Sequence, residues 1–97
     1  MRFAILVAPE AAEDLRALKA HVRSEVRDAI ERHLRHEPKK ESRSRIKRLK
    51  GLARPQYRLR VGGVRAFYDV SEMNLEVLAI VTQEGASKWL EREAKQD

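Results

Sequence analysis

Residues Tyr57 to Val70 admit few arrangements. Tyr57, Leu59 and Val61 alternate with Arg58 and Arg60, the period-two pattern of a strand with one dry face. Val64, Ala66, Tyr68 and Val70 repeat the alternation beyond Gly62-Gly63. Two glycines between such runs predict a hairpin closed by a type I′ turn, in which both central residues take positive φ. That turn sets the register: Val61 faces Val64, Arg60 faces Arg65, and Arg58 faces Phe67. Three arginines then share one face, two of them directly opposed at ~5 Å between Cβ atoms. Opposed like charges weaken a hairpin unless an anion lies between them, so convergent guanidiniums point to a phosphate site. The plainer alternative is that they lie over a wet sheet face with their heads in water.

The charge along the chain is segregated. From Lys39 to Arg65 there are eleven bases and one acid (Glu41), whereas the rest of the chain holds ten bases and fourteen acids. A +10 segment on a −4 body is the electrostatic footprint of a binder of nucleic acid or of an acidic protein. At 97 residues the chain is expected to be a single domain, residues 1–97, burying roughly two-thirds of its unfolded surface. It has no cysteine, which removes disulfides and thiolate metal sites and makes a cytoplasmic location the expectation. No apolar run approaches the ~20 residues of a membrane span, and no signal peptide is evident.

Arg2 to Val7 is a short apolar run, read as a largely buried first strand. Pro9 suits a first helical position, with Glu10, Glu13 and Asp14 placed where a helix N-terminus favours negative charge. Ala11, Leu15, Leu18, Val22, Val26, Ile30 and Leu34 then recur at helical spacing up to Pro38. One helix from Pro9 to about His36 would be roughly 40 Å long. A domain of this size has a radius of gyration of about 12–13 Å, so the run is expected to break near Lys19 to Val22 into a helical hairpin. The segment Lys39 to Gly51 reads as a solvated basic loop pinned by Ile46 and Leu49 and leading into the arginine hairpin. Leu75 to Thr82 is a nearly continuous apolar strand, and Gly85 to Asp97 a short amphipathic helix anchored by Trp89. The expected fold class is α+β, in the order β-α-α-β-β-β-α. A mainly antiparallel sheet would carry the helical hairpin on one face and the arginines on the other.

No nucleotide-binding glycine loop, metal-ligand set or nucleophile elbow is present, so neither a metal nor any other cofactor is expected. His21, His33 and His36 complete no recognised zinc pattern. The remaining chemistry needs only positive charge and a proton carrier, and metal-free RNA cleavage fits that description. Cations stabilise the pentavalent phosphate while another group protonates the departing 5′-oxygen. Arg58, Arg60 and Arg65 could hold the phosphate, but arginine stays protonated and transfers protons poorly. Tyr68, Lys50 or Lys88 are then the candidates for proton work.

The segments Arg48-Leu49-Lys50-Gly51, Tyr57-Arg58-Leu59-Arg60 and Gly63-Val64-Arg65-Ala66-Phe67-Tyr68-Asp69-Val70 together resemble the RelE/ParE superfamily of bacterial type II toxins. The resemblance extends to the order of elements over nearly the whole chain. It implies a small RelE-like fold with a concave basic face, and a cognate antitoxin that wraps the toxin and masks that face, forming a hetero-oligomer. RelE-like members cut mRNA in the ribosomal A site without a metal. Carried onto this chain, the motif falls on Arg58, Arg60, Arg65 and Lys50. With Tyr68 added as a proton carrier from the reading of the residues, Arg58, Arg60, Arg65 and Tyr68 are the expected catalytic residues. Lys47, Arg48, Lys50, Arg54 and Lys88 would contact RNA phosphates. The chain departs from the RelE-like pattern after the last strand, where Thr82 to Leu90 offers only Lys88 and no tyrosine or histidine follows Tyr68. The expected function is that of a ribosome-dependent mRNA interferase (an endoribonuclease that inhibits translation). Its alternatives are a ParE-like toxin that inhibits DNA gyrase by protein contact, and a non-catalytic RNA-binding module.

Overall fold

A computed structural model describes residues 1–96. The long amphipathic run is indeed two helices, α1 (Pro9–Ala17) and α2 (Ala20–Leu34). The break falls at Leu18 and Lys19, both extended with ψ near 150°, at the N-terminal margin of the expected stretch. A tertiary contact holds it there. The Arg23 guanidinium donates to the carbonyls of Leu15 (3.3 Å), Leu18 (2.9 Å) and Arg16 (3.4 Å), satisfying acceptors that α1 leaves open at its C-terminus.

The main sheet has five strands in the order β1-β6-β5-β4-β2, comprising β1 (Ala4–Val7), β2 (Ile46–Arg48), β4 (Tyr57–Val61), β5 (Val64–Ser71) and β6 (Asn74–Thr82). All pairs are antiparallel except β1 with β6. A second, two-stranded ladder joins β3 (Leu52–Arg54) to β7 (Lys95–Gln96), just beyond α3 (Gln83–Glu93).

Three short strands, β2, β3 and β7, are additions to the expected order. The centre of the basic loop is not free, because Ile46 to Arg48 pair with Leu59 to Tyr57 and Ile46 is buried. The first strand also differs from expectation. It lies at the sheet edge with one strand neighbour, and Leu6 and Val7 are 59% and 42% exposed rather than buried.

The hairpin register is the expected one: Val61↔Val64, Arg60↔Arg65, Arg58↔Phe67. Its turn is not. Only Gly62 has positive φ (57°), which is the requirement of type II′ rather than type I′.

The helical hairpin packs on the face that carries Leu59, Ala66, Tyr68, Leu75, Val77 and Ile80, and its own Ala11, Leu15, Val26, Ile30 and Leu34 complete the core. Asp14 reaches across to accept a hydrogen bond from the Ile80 N–H (3.0 Å), tying α1 to β6. The opposite face is covered as well. Phe67, Leu78 and Ala79 are buried there, and Trp89 of α3 stacks on Phe67 with centroids 5.0 Å apart and ring planes 7° from parallel. A bulge between Phe67 and Tyr68 sets up this second layer. Phe67 opposes Ala79 and Tyr68 opposes Val77, so Leu78 is the extra residue on β6. No helix among the described residues is long and apolar enough to cross a membrane.

Candidate functional site

Register places the basic residues in rows, since directly opposed residues of an antiparallel pair point to the same face. One row is Lys47, Arg58 and Phe67 across β2, β4 and β5; the next is Arg60 and Arg65. Arg45, which sequence reasoning did not single out, adjoins the second row through its backbone, while its side chain lines the cleft beside His33. Its carbonyl accepts from the Arg60 N–H (2.8 Å), one step before β2 begins. The signal was available in its position two residues before Lys47. Lys47, Arg45 and Arg60 are exposed, and Arg58 is partly buried. The Arg58 Nε is buried without a hydrogen-bond partner among the described residues. A charged donor left in that state costs on the order of 1–3 kcal/mol, which an incoming anion would recover.

Arg65 differs from its neighbours. It is only 6% exposed, and its NH1 donates to the carbonyls of Gly62 (2.8 Å) and Val64 (3.1 Å). Burial, then Arg60 and Arg58, hold its pKa below the usual arginine value. It braces the hairpin turn from beneath the row, so the expected three-guanidinium grip reduces to Arg58 and Arg60 above a buried third.

Tyr68 is not part of this face. It is fully buried on the helical side, its hydroxyl donates to the Pro38 carbonyl (2.6 Å), and its ring stacks on Tyr57 at 5.4 Å. Burial, reinforced by Tyr57, pushes its pKa far above the ordinary tyrosine value. A phenol with no solvent path on the wrong side of the sheet cannot deliver a proton to a phosphate at Arg58, which corrects its assignment as a catalytic residue. The shift has a sign that can be measured. Tyrosine ionises near pH 10 in the unfolded chain and stays neutral in the folded one, so stability falls as pH rises above about 10, by about 1.4 kcal/mol per unit. Tyr68→Phe is expected to remove that alkaline slope in urea titrations and to lower stability near neutrality by about 1–3 kcal/mol.

Two further assigned phosphate contacts are engaged elsewhere. Arg48 opposes Tyr57 rather than sharing the Lys47 row, and lies over the Tyr57 ring (5.3 Å). Its NH1 donates to the Gln56 carbonyl (2.8 Å). Arg54 faces Asp69 (3.6 Å) and Glu76 (3.9 Å), an acidic neighbourhood. Lys50 and Lys88 are exposed, on the β2–β3 turn and on α3 respectively. Among the described residues no group of three His, Cys, Asp or Glu side chains is placed to hold a metal ion.

A mainly antiparallel sheet with a helical hairpin on one face and basic rows on the other is the RelE fold. Three solved structures share it. A chain of the RelB–RelE antitoxin–toxin complex from Methanococcus jannaschii is 21% identical with a TM-score of 0.68, over 87% of this chain and 96% of that one. The RelBE2 complex from Mycobacterium tuberculosis gives 19% and 0.69 over 84% and 99%. A mutant of E. coli toxin RelE in the free state gives 20% and 0.70 over 92% of each chain. At these identities the likeness is one of fold. No curated protein sequence matches. The sequence profile described as "ParE toxin of type II toxin-antitoxin system, parDE" matches residues 5–86, and the chain belongs to that family.

Proposed function

We propose that this chain is the toxin of a cytoplasmic type II toxin–antitoxin pair, masked by a cognate antitoxin, and that its basic rows grip a target without cutting RNA. The observation that carries this reading is the make-up of those rows. Around Arg58 and Arg60 the register places Lys47, Arg65 and Phe67, cations and one ring, and no side chain whose ordinary pKa lies near neutrality. Inhibition of DNA gyrase by protein contact needs shape and charge but no proton carrier. Family membership supports that action, and the antitoxin complexes formed by proteins of the same fold support the partner.

A second reading rests on the unpartnered Arg58 Nε. RelE-like cleavage of mRNA on the ribosome would seat the scissile phosphate at Arg58 and Arg60, with Lys47, directly opposite Arg58, protonating the leaving oxygen. Two assays separate the readings. The purified chain is expected to inhibit gyrase supercoiling and to leave message 5′ ends unchanged in a reconstituted translation reaction. New ends at A-site codons with supercoiling intact would replace the first reading by the second.

A further inference from the structure

A second basic cleft lies around the sheet edge from these rows. It has a volume of about 350 Å³ and runs between the C-terminal end of α2 and the loop that leads into β2. Most of its polar groups are already committed. Arg32 pairs with Asp28 (2.9 Å) and Lys40 with Glu37 (3.7 Å). Glu41 accepts from the Arg48 N–H, and the Ser42 hydroxyl accepts from the N–H groups of Arg45 and Ile46. The His36 ring is bonded to the Met1 carbonyl (3.0 Å). His33, Arg45 and the Ser44 hydroxyl line the same cleft with no side-chain hydrogen bond among the described residues.

We propose that this cleft is a second phosphate site, built on His33 and Arg45, that takes a backbone phosphate of single-stranded nucleic acid. Arg45 links it to the sheet face, because its carbonyl holds the Arg60 N–H while its side chain lines the cleft. Occupancy is coupled to a proton. Burial, then Arg45 and Arg32, depress the His33 pKa, with Asp28 opposing weakly. Lys40, Glu37 and Glu41 line the same cleft, the two carboxylates already engaged. A phosphate in the cleft reverses the balance of charge and draws a proton onto His33, so binding tightens as pH falls through the histidine range. The site is independent of how the toxin acts on its target.

The test is a titration of the isolated chain with a short oligouridylate, following the His33 imidazole by NMR. Its titration midpoint is expected to rise on saturation, and Arg45→Ala to remove that rise. His33→Gln should weaken oligouridylate binding roughly fivefold near pH 6, leaving little change near pH 8. An unmoved His33 midpoint at saturation, or a His33→Gln variant with the parent pH dependence, would overturn the proposal. Both readouts are local to the cleft and stand apart from any supercoiling or message-cleavage result.

Discussion

Phe67→Ala is expected to lower unfolding free energy by about 3–5 kcal/mol, a large share of the roughly 5–15 kcal/mol typical of a domain this size. Phe67 is 1% exposed, and it is the surface on which α3 sits, since no residue of α3 is itself fully buried. Truncating the ring removes the stacking partner of Trp89 and leaves a cavity beside Leu78 and Ala79. The chain's only tryptophan reports the event directly. In the variant, Trp89 emission should move to longer wavelength under conditions where circular dichroism still shows a folded chain. A urea midpoint within experimental error of the parent would mean that α3 is held by its ends, through the Thr82 hydroxyl, which accepts from the Gly85 N–H, and the β3–β7 ladder, rather than by this stack.

The second large effect is functional. Replacing Arg58 and Arg60 together by Ala should reduce target inhibition roughly a hundredfold or more, from the loss of two charge-assisted contacts. The fold should not suffer. Arg58 carries an unsatisfied buried Nε, and Arg60 stands opposite the buried charge of Arg65, so both residues cost stability in the absence of an anion. The expected signature is therefore loss of growth inhibition with equal or higher stability. Arg65→Ala would not serve the same purpose. Its loss unbraces the Gly62 and Val64 carbonyls, and a toxicity defect there would mix folding with function. Full toxicity of the double variant would place the target surface elsewhere on the molecule.

The hairpin was legible from sequence because local chemistry determines it. Alternation fixes the faces, and a two-glycine turn fixes the register whichever of the primed types closes it. The helix break was foreseen from size alone, since its cause, Arg23 bonding back to α1, lies several residues downstream and carries no local signal. Strand β2 was hidden because it is only three residues long, two of them basic, and short strand β3 lies between it and its partner β4. The depth of Arg65 was not legible either. Period two puts it beside Arg60, but only the layer formed by Phe67 and α3 shows that it is covered. Tyr68 is the instructive case: its place in the dry set with Tyr57, Leu59 and Val61 already contradicted a role beside the arginines. The alternation was the better guide.

The parallel pairing of β1 with β6 matters for how such a chain is made. Ala4 meets Asn74, and Val7 meets Val77, so β1 leaves a ribosome well before its partner and stays unpaired until β6 has followed. The hairpin at Gly62 can close early, from contacts near in sequence, whereas the N-terminal strand must wait through a long loop closure. During synthesis the basic rows can form before the sheet is complete, and the exposed apolar side chains of β1 stay unpaired until the end. An antitoxin that engages the nascent chain in that interval would meet a basic surface on an unfinished fold.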